Sequence, residues 1–65
     1  MTLREVEAIL QRAGFELDRQ TGHRIWYRGT VRVSLPTHRG GLKTGTLRAI
    51  IREAGMTVQE FRQYR

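Results

Sequence analysis

Apolar residues at Val6, Ile9, Leu10 and Ala13 recur at i, i+3, i+4 and i+7, the spacing that gathers side chains on one face of an α-helix. Thr2-Leu3-Arg4-Glu5 precedes that stripe as a capping box, in which the threonine hydroxyl accepts from the amide three residues on and the glutamate reaches back. Gly14 then supplies the left-handed residue at which a helix stops. From here the period changes to two. Phe15-Glu16-Leu17-Asp18 alternates apolar and polar, and His23 to Tyr27 and Val31 to Leu35 are two further strand candidates joined around Arg28-Gly29-Thr30. A three-residue loop containing Gly29 pairs Tyr27 with Val31, Ile25 with Val33 and His23 with Leu35. That register sets apolar residues opposite one another and turns Trp26 outward between Arg24 and Arg28; a one-residue slip turns Trp26 inward instead. In either register His23 lies beside Leu35 and Pro36.

Pro36 lacks the N–H a sheet ladder needs and ends the strand region. Thr37 to Lys43 reads as a glycine-containing basic loop. Thr44 is the expected N-cap of a second helix, on which Leu47, Ile50, Ile51 and Ala54 repeat the apolar spacing of the first and Gly55 repeats its stop. Thr57-Val58-Gln59-Glu60 is a second capping box and opens a short final helix, with Phe61 and Tyr64 expected to clamp it to the body. Residues 1–65 thus predict a single α+β domain: helix, three antiparallel strands, helix, and a short C-terminal helix. The double-stranded-RNA-binding domain has this order.

Composition sharpens the picture. From Arg19 to Arg52 there are eight basic residues and no acidic one, so the net charge of +6 is concentrated in the middle of the chain. Eleven of the twelve cations are arginine, whose planar fork grips phosphate or carboxylate with two parallel hydrogen bonds. Such a field suits a polyanion, RNA or DNA, or an acidic protein. The absence of cysteine excludes disulfides and zinc–thiolate sites, and fits the cytoplasm. No apolar run approaches the ~20 residues of a membrane span, and no signal-peptide pattern opens the chain.

Several segments together resemble a known family. Thr21-Gly22-His23-Arg24-Ile25-Trp26, Leu35-Pro36-Thr37-His38, Leu42-Lys43-Thr44-Gly45-Thr46-Leu47-Arg48-Ala49-Ile50 and Ala54-Gly55-Met56, after a first helix ending Ala13-Gly14-Phe15, are similar in order and spacing to the HicA toxins of bacterial toxin–antitoxin pairs. The resemblance implies a double-stranded-RNA-binding-like fold, cleavage of messenger RNA, and a HicB antitoxin that masks the active site. The family's catalytic histidine, at the start of the second strand, maps onto His23. Gly22 stands where the family often has serine.

Imidazole chemistry fits that expectation. Cleaving RNA without a metal needs the 2′-hydroxyl activated and the 5′-oxygen protonated, and a histidine can make either transfer. His23 is therefore the candidate catalytic residue, with Arg24, Lys43, Thr46, Arg48 and His38 as candidate RNA contacts. No Asp or Glu adjoins either histidine in sequence, so neither a metal site nor an acidic dyad is expected, and no cofactor is expected. A non-catalytic RNA-binding module with the same fold is the alternative expectation. Of the two aromatic neighbours, Tyr27 is expected in the core, and Trp26 is expected to be free to stack on a base or on the antitoxin.

Overall fold

The computed structural model of the chain describes residues 1–20, 24–36 and 41–65. The elements follow the expected order: α1 (Leu3–Arg12), β1 (Glu16–Asp18), β2 (Ile25–Arg28), β3 (Val31–Ser34), α2 (Thr44–Glu53) and α3 (Val58–Gln63). The three strands form one antiparallel sheet in the order β1-β2-β3. Both capping boxes are formed, Thr2 with Glu5 and Thr57 with Glu60.

Helix α1 ends in two reciprocal bonds, Gly14 N–H to the Gln11 carbonyl and Phe15 N–H to the Leu10 carbonyl, with Gly14 at φ +94°. This is a Schellman motif, which ties up carbonyls that the last turn leaves unpaired. Gly55 and Met56 repeat those bonds onto Arg52 and Ile51. The second helix starts one residue earlier than expected: Lys43 is its N-cap, no side chain caps it, and Thr44 is already helical.

Strand register departs from the three-residue loop. Arg28 pairs with Val31, Tyr27 with Arg32 and Trp26 with Val33, so the turn is the two residues Gly29-Thr30, with Gly29 at φ +60°. A glycine at the first central position with a positive φ suits a two-residue hairpin whose twist matches its strands. The slip leaves Val31, Val33 and Leu35 facing the helices but swaps the inward set of β2 from Ile25 and Tyr27 to Arg24, Trp26 and Arg28. Trp26 is 7% exposed, so the outward placement expected for it is wrong, and Tyr27, expected in the core, lies half-buried on the other face.

The inward cations are tolerated because α1 offers each a partner. Arg28 Nη1 donates to the Ala13 carbonyl at the C-terminal end of α1 at 2.7 Å, and its guanidinium carbon sits 4.8 Å from the Phe15 ring centroid. Arg24 meets Glu7 of α1. Between these two contacts Trp26 and Val33 join Val6, Ile9, Leu10, Phe15, Ile50, Ile51 and Phe61 in one core cluster. Phe61 is buried, but the Tyr64 side chain is exposed and does not clamp α3; instead its carbonyl accepts from Arg12 Nη1 at 3.2 Å.

Candidate nucleic-acid interface

The amino ends of two helices open close together. Thr2, the N-cap of α1, forms an isolated antiparallel bridge with Gly41, and Leu42 N–H donates to the Met1 carbonyl at 2.8 Å. Lys43, the N-cap of α2, follows directly. The two ends differ in how their amides are treated. At α1 the Thr2 hydroxyl and Glu5 close the capping box, whereas the first turn of α2 carries neither a side-chain cap nor an acidic residue. Lys43, Thr44, Gly45, Thr46 and Arg48 are all exposed there. Helix amides that have no side-chain acceptor among the described residues, with a lysine at the cap, suit phosphate oxygens. Arg48 and Arg52 lie four apart on the exposed side of the same helix, opposite Leu47, Ile50 and Ile51.

About 7 Å along α1 from Thr2, by the rise of 1.5 Å per residue, Glu7 gathers three donors on one oxygen. Arg24 Nε donates to Glu7 Oε2 at 2.8 Å, Arg24 Nη2 at 2.5 Å, and Trp26 Nε1 at 2.8 Å. The Glu7 side chain is 14% exposed and that of Arg24 44%. Arg24 is thereby anchored on its inner edge and open on its outer side. Its carbonyl also accepts from Leu35 N–H at 2.9 Å, which joins the start of β2 to the end of β3. Arg19 and Arg24 flank the β1–β2 connection, and both line a groove of about 640 Å³ between α1 and β1, with Gln11, Glu16, Leu17 and Trp26.

The sheet face away from the helices is less basic than its arginines suggest. Tyr27 OH donates to Glu16 at 3.1 Å, a bond that favours the neutral phenol and raises its pKa, and Arg32 stands 3.8 Å from Asp18. Asp18 and Glu16, outside the basic stretch in sequence, are brought back to it by strand pairing. Among the described residues no three His, Asp or Glu side chains gather as a metal site would need. No helix among the described residues is long and apolar enough to cross a membrane.

The HicA toxin family of bacterial toxin–antitoxin systems matches residues 3–56. The chain belongs to that family. It is a toxin of a bacterial toxin–antitoxin system, and membership implies a cognate antitoxin as its partner. Comparison with curated proteins and with solved structures gives no match. The HicA match runs from the first turn of α1 through the end of α2, so it contains Glu7, Arg24, the β1–β2 connection and the open helix end, while α3 follows it.

Of the residues singled out in the sequence, Lys43, Thr46 and Arg48 share one exposed helix end of this HicA chain, and Arg24 is tied to the neighbouring helix α1 through Glu7. His23 and His38, with Thr37 and Arg39, lie outside the described residues. Glu7 is not among the residues that the sequence marks. Its signal is indirect: an inward Trp26 needs an acceptor for its indole N–H, and Glu7 borders the apolar stripe of α1.

Proposed function

We propose that this HicA-family toxin is a metal-independent endoribonuclease that cleaves messenger RNA in the cytoplasm, with His23 moving the protons. Membership over residues 3–56, a span that includes the histidine-bearing β1–β2 connection, is the observation that carries this reading. The surrounding charges support it. Lys43, Thr46 and Arg48, with the amide end of α2, offer cations and donors to phosphate oxygens, and Arg24, next to His23 in sequence, adds a guanidinium held at a fixed place. His38 is proposed as a supporting phosphate contact. The proposed partner is a HicB-like antitoxin that covers this surface.

In the reaction the RNA's own 2′-oxygen attacks the adjacent phosphorus and the P–O5′ bond breaks. The 2′-hydroxyl loses a proton and the 5′-oxygen gains one, the two transfers an imidazole near neutral pKa accelerates by ~10²–10⁴-fold. Arg24, Lys43 and the α2 amides stabilise the charge that builds on the non-bridging oxygens. The scheme needs no metal-activated water, because the nucleophile is the substrate's own 2′-oxygen.

Product analysis tests the chemistry. Incubation with single-stranded RNA in EDTA should yield a 2′,3′-cyclic phosphate on one fragment and a 5′-hydroxyl on the other, and 2′-O-methyl RNA should remain intact. Binding of both RNAs with no cleavage of either would make the chain a non-catalytic RNA-binding module.

A further inference from the structure

We propose that Glu7 is a positioning residue for RNA binding, acting through Arg24. The proposal rests on the RNA-directed reading above but not on cleavage. Glu7 Oε2 takes the Nε and one Nη2 hydrogen of Arg24, which is the side edge of the guanidinium. The planar fork has a second edge, one N–H from each terminal nitrogen, and Glu7 does not use it. That second edge can also grip a phosphate with two parallel bonds. Arg24 is 44% exposed while the carboxylate that holds it is 14% exposed, so the pair is covered on the Glu7 side and accessible on the Arg24 side.

The same geometry argues against Glu7 as a competitor that phosphate displaces. If Arg24 left, a mostly buried carboxylate would keep only the Trp26 N–H among the described residues, and stranding a buried charge is costly. Arg24 therefore stays on Glu7 while it binds, and its side-chain freedom is given up in folding and not in binding. A long arginine that would otherwise sample many rotamers is presented in one orientation beside the connection that carries His23.

A double-mutant cycle with uncleavable 2′-O-methyl RNA tests this, using the full chain and its variants Glu7→Gln, Arg24→Gln and both together. Glu7→Gln should weaken binding by about three- to tenfold, the effect of freeing one rotamer-rich side chain, and should have no effect once Arg24→Gln is present. Trp26→Phe, which removes the third donor from Glu7 but leaves Arg24 alone, should bind like the parent. Tighter binding by Glu7→Gln would overturn the proposal in favour of competition with phosphate. Equal losses in the parent and Arg24→Gln backgrounds, or an equal loss in Trp26→Phe, would overturn it in favour of a general effect on the fold. A parent that binds no RNA would overturn the underlying reading as well, and is recognised before any substitution is made. Binding without cleavage of ordinary RNA would remove only the catalytic claim.

Discussion

Trp26 and Glu7, nineteen residues apart, are joined by an indole N–H that donates to the carboxylate at 2.8 Å. The bond decides the orientation of β2. With Trp26 inward the largest apolar surface on the strand is buried and its one polar atom is paired, so the cost of burying an indole N–H is avoided.

Trp26→Phe should therefore destabilise the domain modestly, by about 1–2 kcal/mol, because Arg24 still pairs with the carboxylate. Trp26→Ala should cost about 3–5 kcal/mol, enough to unfold much of so small a chain. Thermal melts of the two variants beside the parent would show the difference; equal melting temperatures would contradict the buried placement.

Arg28 lies in the basic stretch, yet its guanidinium is engaged by the Ala13 carbonyl and the Phe15 ring. Arg28→Ala should lower stability by about 1–2 kcal/mol while leaving RNA affinity close to that of the parent. A loss of RNA affinity at unchanged melting temperature would show that this arginine reaches the ligand instead.

Most of the fold is legible in the sequence because its signals are local. The stripes of α1 and α2, the Thr2–Glu5 and Thr57–Glu60 boxes and the two Schellman stops each lie within a few residues of sequence. The hairpin register is not, since apolar pairing favours the three-residue loop, whereas the observed register opposes only Trp26 and Val33 as an apolar pair and is decided by contacts that cross from strand to helix, Trp26 and Arg24 to Glu7 and Arg28 to Ala13. The placement of Tyr27 fails with it. For the site, the cationic helix start at Lys43 to Arg48 reads directly, but nothing local marks Glu7 as the holder of Arg24, or Met1 and Thr2 as neighbours of Gly41 and Leu42.

Glu5 is exposed, and its bonds to the Thr2 amide and hydroxyl hold its carboxyl below the ordinary value of 4.5. A depressed carboxylate contributes stability above its unfolded pKa and loses it as pH falls through the folded one. The melting temperature of the parent should thus exceed that of Glu5→Gln at neutral pH, and the gap should close as pH drops below about 4. A gap that does not depend on pH would mean the charge is immaterial to the cap.

Lys43 and Arg48 sit at the open amino end of α2, away from the core. Replacing either with alanine should leave the melting temperature nearly unchanged and weaken RNA binding. The slope of log affinity against log salt should become shallower by about 0.7 for each phosphate of a single strand that is no longer neutralised. Unchanged slopes in both variants would place the RNA elsewhere.

The most direct test of the catalytic reading compares the parent with His23→Ala on single-stranded RNA in EDTA, under single-turnover conditions. The proposed mechanism predicts cleavage by the parent, a rate lower by at least about 10² in the variant, and comparable RNA affinity in both. Equal cleavage rates would contradict it, since the protons would then be moved by some group other than His23.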